Sequence, residues 1–316
     1  MFISIGVRFE ANVEALNMVE TVGNYSKHRR VPYIIEKDGK LKTIYVPAIS
    51  GESLGHAYQE LLVKECKKLN LPVCEDCKKF EFFKSMNKKH LEKKIKPIPN
   101  NREKIEESII KSCVIEDVGG FMYAEKPPVK RTSAFQFSYA LPIKSMAVYA
   151  TTEPQLHARH AQTGGEKKEG ASEQMIYYVE TGTALYGFIF NLDLDAIGIS
   201  GLTNKRVVDK ENIKKRREVS LKEIFRMLSS QQFGAKLSRF FPVGNITSIA
   251  IAITEHPFSV TSPIYDNYIE KTKKRLEVVK NIFDEETKFI TIENGIETPE
   301  ECLAEMISYA REKNVI

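Results

Sequence analysis

Asn24-Tyr25-Ser26-Lys27-His28-Arg29-Arg30 and Ser50-Gly51-Glu52-Ser53-Leu54-Gly55-His56 are the two blocks of this chain whose residue types could do chemistry together. The second block opens a helix. A helix N-terminus leaves backbone N–H groups unpaired and carries a partial positive charge, so Ser50, Gly51 and Ser53 could receive a phosphate. Gly51 removes a side chain that would bar an anion from the backbone. The competing reading is a plain capped helix in which Glu52 suits the dipole. Lys27, His28 and Arg29 follow a loop-like stretch, Gly23 to Ser26, and would add sequence-independent phosphate contacts. Such a site grips a polyanion. It does not by itself break a bond.

Histidine is the residue type that could add bond breaking to binding. His157 and Arg159 share one face of an expected strand, and His160 lies on the other. His28, His157 and His160 are candidate general acids or bases for RNA cleavage. No serine or carboxylate at a recognisable spacing orients them, which favours binding over catalysis. Cys66, Cys74, Cys77 and Cys113 include one Cys-x-x-Cys and have the make-up of a tetrahedral zinc site that would staple a lysine-rich segment. The alternatives are a lone Cys-x-x-Cys with two scattered thiols, or a disulfide. Cys302 sits on a helix face and reads as core.

The elements that must position these residues follow from periodicity. Residues 3–13 alternate strictly, Ile3, Ile5, Val7, Phe9, Ala11 and Val13 against a polar face, which predicts a half-buried strand. A hairpin follows around Lys37-Asp38-Gly39-Lys40, then a helix capped by Ser50. Residues 70–112 break the pattern as an insertion, with helical pieces expected at Phe80 to Met86 and Lys104 to Lys111. Strands are expected at Ala134 to Leu141, Leu185 to Asp195 and Thr247 to Thr254. Helices are expected at Leu221 to Phe233, 265–283 and 299–313. Thr163 to Gly170 is a polar, glycine-rich excursion with an arm on either side. Together these predict an α+β fold with a largely antiparallel sheet.

Composition excludes several classes. Hydrophobic content of 42% and charged content of 28% are those of a globular protein. No apolar run approaches the roughly 18–20 residues that span a bilayer, and Met1-Phe2-Ile3-Ser4 lacks a charged leader region, so no membrane association and a cytoplasmic location are expected. From Lys64 to Lys104 there are 13 Lys or Arg against 6 Asp or Glu, a local excess of +7, and a second basic run covers Lys205 to Arg217. Clustered cations point either to a polyanionic partner or to a solvated lysine-rich surface.

Val7-Arg8-Phe9, Leu16-Asn17, Val22-Gly23-Asn24, Lys27-His28-Arg29 and Ile49-Ser50-Gly51-Glu52 with His56-Ala57-Tyr58-Gln59 resemble the archaeal Csa2 family, the Cas7-type backbone subunits of type I-A CRISPR effector (Cascade) complexes. The resemblance continues through Val118-Gly119-Gly120-Phe121-Met122-Tyr123-Ala124, Arg131-Thr132-Ser133, Ala184-Leu185-Tyr186, Phe233-Gly234 and Ser238-Arg239-Phe240, in order along nearly the whole chain. It implies a modified RRM-like (ferredoxin-like) antiparallel core, the palm, from residues 1–63, 117–150 and 180–316. It also implies a helical insertion over 64–116 and a thumb-like β-hairpin over 151–179.

By the same resemblance, Asn24, Lys27, His28, Arg29, Ser50, Gly51, Ser53, His56, Arg131, Thr132, Ser133, His157, Arg159, Lys236 and Arg239 would contact a CRISPR RNA. The implied partners are that RNA, target DNA through guide pairing, further copies of the chain in a helical assembly, and Cas5-type and other effector subunits. No cofactor is required, and the cysteine set is not a general mark of the family. Related subunits of type III complexes cut RNA with a loop aspartate, whereas Leu16 to Arg30 holds only Glu20. A non-catalytic RNA scaffold is therefore the favoured function. The alternative is a metal-independent RNA endonuclease using His28 or His157.

Overall fold

The computed structural model describes residues 1–83, 85–160, 174–293 and 295–316. The alternating N-terminal segment forms β1 (Phe2–Glu14), followed by β2 (Met18–Val22), β3 (Tyr25–His28), β4 (Arg30–Lys37) and β5 (Lys40–Pro47). Then come α1 (Gly51–Lys68), α2 (Glu75–Lys78), α3 (Lys88–Lys94), α4 (Arg102–Ser112) and α5 (Val114–Gly119). Short strands β6 (Phe121–Tyr123), β7 (Val129–Arg131), β8 (Phe135–Phe137) and β9 (Leu141–Pro142) lead to β10 (Thr151–His160) and β11 (Gln174–Asp193). The chain closes with α6 (Lys210–Ser229), β12 (Ile246–Thr254), α7 (Tyr268–Phe283), β13 (Lys288–Thr291) and α8 (Pro299–Glu312).

Among the described residues, nine strands form one sheet in the order β13-β12-β1-β11-β3-β2, with β8, β9 and β10 also paired to β11. Its ladders are antiparallel except β11 with β3, so the fold is a mixed helix–sheet architecture around a largely antiparallel sheet. β11 is 20 residues long because it serves two structures. Its first half pairs with β10 as a hairpin, and its second half pairs with β1 from Ala11↔Ala184 to Phe2↔Asp193. The excursion over Thr163 to Gly170 lies outside the described residues.

The apolar face of β1 is buried as the alternation predicts: Ile3, Ile5, Val7 and Phe9 sit in one cluster with residues of α1, α6 and α8. α6 packs beside both α1 and α8, and α8 lies on β12 and β13. The polar face departs from the half-buried expectation. Ser4 is fully buried and donates to Asn191 Oδ1 while accepting from Val260 N–H. Arg8 lies over the Tyr268 ring and donates to the Pro263 and Tyr265 carbonyls. A polar strand face can be covered when every group finds a partner, and the segment entering α7 supplies them.

The hairpin and the helix start also form as expected. Asp38 and Gly39 turn β4 into β5 with positive φ at both positions, the backbone that suits a tight hairpin. Ser50 caps α1 by accepting the Ser53 N–H at 3.2 Å. Two expectations fail locally. Phe80 to Met86 is not helical: Phe80 adopts φ +63° and Met86 N–H bonds to Met122 carbonyl, so a longer-range bridge replaces the helix ladder. Ala134 to Leu141 is broken after Phe137, because Ser138 Oγ takes the Ile189 N–H that a strand carbonyl would otherwise accept.

The second basic run is solvated only in part: Lys205, Arg206, Lys210 and Lys215 are exposed, whereas the arginines that follow turn inward. Arg216 is fully buried and its guanidinium lies 2.7 Å from Asp117 Oδ2, while Arg217 donates to the Leu194 carbonyl and Asp195. Asp117 also holds Arg131 at 2.5 Å and accepts the Gly198 N–H. Glu106, on α4, bonds Ser200 Oγ, the Gly201 N–H and Arg131. Carboxylates from the insertion thus clamp arginines and backbone of the core. Removing one partner of a buried charge set leaves the others unpaired, so Asp117→Ala is expected to cost about 3–5 kcal/mol, read as a lower urea midpoint with an unchanged slope.

Candidate nucleic-acid interface

Two buried side chains organise the surface next to β3. Glu14, at the end of β1, accepts the Leu16 N–H and the Tyr186 hydroxyl and lies 2.7 Å from His28 Nε2. Asn17 Oδ1 accepts from Arg29 Nε at 2.9 Å and from Ser50 N–H at 2.8 Å, tying the two chemistry-bearing blocks together. Gly234, with φ +91°, completes the arrangement: a Cβ there would meet Leu16 Cβ at 2.7 Å, and Ala235 N–H bonds the Leu16 carbonyl. The segment carrying Lys236 and Arg239 is therefore pinned beside Leu16.

Several expected contact residues are corrected by burial. His28 is 2% exposed; its Nδ1 donates to the Arg29 carbonyl and its Nε2 faces Glu14, so it is not a surface phosphate ligand. Arg131 is consumed by Asp117, Glu106 and the Ile199 and Ala196 carbonyls. Gly51 does allow a close approach, but the approaching group is the Phe137 carbonyl, which a Cβ would meet at 2.3 Å. Ser50 is buried and spent on capping. Gly23 to Ser26 is not a loop: Gly23 and Asn24 make the β2–β3 turn, and Tyr25 starts β3.

The remaining residues divide among three clefts. Arg29, Ser53 and His56 line one of about 500 Å³ together with Lys64, Glu52 and Glu60. Thr132 and Ser133 line a separate one with Asp193 and Asp195, a carboxylate-bearing surface that opposes phosphate. Asn24, Lys236 and Arg239 line the third, about 400 Å³ at the base of the β10–β11 hairpin, with Tyr177 and Phe240. Lys27 is exposed beside this region and pairs with Glu20 at 3.0 Å. Arg159 takes its place on β10 opposite Met175, and His160 opposite Gln174.

Among the described residues, the third cleft holds cations and aromatic rings without an acid in its lining. Arg239 donates to the Tyr177 hydroxyl at 2.7 Å, leaving the rest of its guanidinium for a ligand. Burial first, then the neighbouring Arg239, lowers the Lys236 pKa below the usual lysine value. Two cations that press on each other in this way are relieved by an anion between them. His157 stacks on Tyr177 at 5.3 Å and meets Phe240 edge-on. Tyr25 and Tyr178 form a second ring pair at 6.1 Å. Tyr177 and Tyr178, both partly exposed, are binding candidates that residue-type reasoning missed, and the buried Phe240 backs the cleft from inside. The adjacent tyrosines on an arm otherwise rich in polar residues were the available signal.

The four-cysteine set is reduced to three. All four cysteines border the main core, but only Cys74, Cys77 and Cys113 bring their Sγ atoms within 4.8 Å of one another; Cys66, on which the Arg216 and Glu223 charges act, stands outside that group. A tetrahedral site closes only around ligands that share one centre, and Cys66 does not share it.

A broad sheet with a long hairpin projecting from its central strand is a fold found in CRISPR effector subunits. A chain of a pre-nicking CRISPR RNA-guided surveillance complex matches 98% of this chain and all of its own length, with a TM-score of 0.54 at 13% identity. A chain of another CRISPR RNA-guided surveillance complex matches with a TM-score of 0.51 at 14% identity, again over 98% of this chain and all of its own. Residues 5–273 match the family model of the CRISPR-associated negative auto-regulator DevR/Csa2, and the chain belongs to that family. The CRISPR-associated aCascade subunit Cas7/Csa2 2 of Saccharolobus solfataricus is 36% identical over 89% of this chain and 88% of its own. The CRISPR-associated protein Cas7/Csa2 1 of the same organism is 32% identical over 94% of this chain and 91% of its own. The resemblance read from the motifs is thereby upheld.

The His28–Glu14 pair carries a pH signature. Burial disfavours the imidazolium, but the Glu14 carboxylate and the Arg29 carbonyl outweigh it and raise the His28 pKa above its ordinary value. A histidine raised on folding stabilises fully below about pH 6.5, its unfolded value, and loses that stabilisation as pH climbs through its folded pKa. The urea midpoint of the native chain should therefore fall as pH rises above about 6.5, and His28→Ala should flatten this part of the profile.

Proposed function

We propose that this chain is a non-catalytic, CRISPR RNA-binding backbone subunit of a type I-A effector complex, built on a modified RRM-like core. Copies assemble helically along one guide RNA and present it for pairing with target DNA, alongside Cas5-type and other effector subunits. The observation that carries this reading is the cleft of Lys236, Arg239, Asn24, Tyr177 and Phe240 at the base of the β10–β11 hairpin. Cations hold phosphates, rings accept stacked bases, and neither reads sequence, which is the chemistry of a single-strand binder indifferent to spacer content. The family membership and the complexes to which its relatives belong support the same reading.

The endonuclease alternative loses His28, whose ring nitrogens are committed to Glu14 and a backbone carbonyl inside the protein. His157 is only half-buried, so it is the residue on which a cleavage test turns. Incubation of repeat-containing RNA with the protein in EDTA should return intact RNA. Discrete products that disappear in His157→Ala would replace the scaffold reading with a nuclease.

Binding itself is measured by fluorescence anisotropy across a salt series. Lys236→Ala with Arg239→Ala should weaken affinity at least several-fold and reduce the log–log salt slope by roughly 0.7 per cation removed. Thr132→Ala, on the carboxylate-lined cleft, should leave both unchanged. Equal affinity in the double variant would remove this cleft from the RNA path.

A further inference from the structure

The lysine-rich insertion has a small core of its own, made of Met86, Leu91, Ile105, Ile109, Phe121, Tyr123 and Val129. Beside it lies a polar cluster that the RNA reading does not use. Cys74 precedes the single-turn α2, Cys77 lies on it, and Cys113 joins α4 to α5. Their Sγ atoms all lie within 4.8 Å of one another, and all three thiols are free and buried. Glu116 Oε1 is 3.6 Å from Cys77 Sγ, and the Glu116 side chain is almost wholly buried. The Lys94 ammonium, equally buried, donates to Cys74 Sγ and to Glu116 Oε1, each at 2.7 Å.

From this geometry we infer that Cys74, Cys77 and Cys113, with Glu116 as the fourth donor, form a structural zinc site with Lys94 as its outer-sphere counter-charge. Zinc takes thiolate and carboxylate oxygen together, and Zn–S bonds of about 2.3 Å set sulfur atoms about 3.8 Å apart in a tetrahedron. The three Sγ atoms, within 4.8 Å of one another, need little closure to reach that, whereas the Glu116 carboxylate, 3.6 Å from Cys77 Sγ, must swing further in to complete the tetrahedron. The thiols are too close to serve different irons of an iron–sulfur cube, and thiolate softness disfavours magnesium or calcium.

The charges suit a divalent ion. Three thiolates and a carboxylate around Zn²⁺ leave two negative charges, and Lys94 brings the cluster to one. A ligating thiolate that accepts a hydrogen bond from a neighbouring side chain is the usual outer-shell arrangement, and Lys94 already donates to Cys74. The site would join α2, α3 through Lys94, and α5, and Glu116 is adjacent in sequence to Asp117 of the buried clamp. The inference is independent of the RNA reading, because nothing in it touches the cation–aromatic cleft.

The test is zinc content and its dependence on the thiols. Protein purified under reducing conditions without added metal should carry close to one zinc per chain by elemental analysis. That zinc should be released completely when an organomercurial titrates the thiols. Cys77→Ser and Cys113→Ser should lose the metal and Cys66→Ser should keep it, while Glu116→Gln should surrender zinc faster to a chelator. Should the cysteine variants fold poorly, the native chain exchanged with Co²⁺ decides: thiolate-to-cobalt charge-transfer bands with strong tetrahedral d–d bands are expected. Stoichiometry near zero together with a featureless cobalt spectrum would overturn the site. So would a mass two hydrogens lighter, because the thiols would then be a disulfide.

Discussion

The buried carboxylate of Asp117 is the interaction on which the architecture turns. It faces Arg131 from β7, Arg216 from α6, and the Gly198 backbone after β11. These segments lie far apart in sequence and belong to the insertion edge and to the core. Charges taken out of water are expensive unless each finds a partner, so the set is satisfied only when all these elements are in place. That makes Asp117 a device of registry between insertion and sheet more than a source of net stability. Arg131 and Arg216, which look like surface cations from sequence, are consumed in it.

The same logic at smaller scale builds the binding surface. Glu14 and Asn17 are buried or nearly so, and neither is aimed at a ligand. Between them they hold His28, Arg29, Ser50, Leu16 and Tyr186. Gly234 then allows the Lys236 segment to lie against Leu16 without a side chain intervening. The polar groups that position the site are inside, and the cations and rings that can act are outside. A surface assembled on rigid strands in this way is already organised before any ligand arrives, which would limit the ordering cost of the proposed binding.

Much of the fold was legible as period and punctuation. Alternation in β1 and β12, the Asp38-Gly39 turn and the Ser50 cap are local signals, and each produced the expected element. What failed was decided at a distance. Phe80 to Met86 has helical composition, but Met86 finds a strand partner in Met122. The polar face of β1 alternates as a solvated face would, yet residues some 250 positions later cover it. For the site, the family resemblance pointed to Lys236, Arg239 and Asn24, but it could not separate them from Arg131 and His28. A cation on the surface and a cation in a buried pair have the same letter.

By itself the sequence determined which residues alternate, where the helices begin, and which motifs make the chain a member of the DevR/Csa2 family, because these depend on neighbours within a few positions or on order along the chain. Only the tertiary structure decided which polar groups remain free to act. Pairing within the protein consumed His28, Ser50 and Arg131, and it left Lys236, Arg239 and Tyr177 of the hairpin facing a common cleft. It also separated Cys66 from the other three thiols. The physical reason is the same in each case: an unpaired polar group cannot stay buried, and its partner is chosen by the fold, not by its place in the chain.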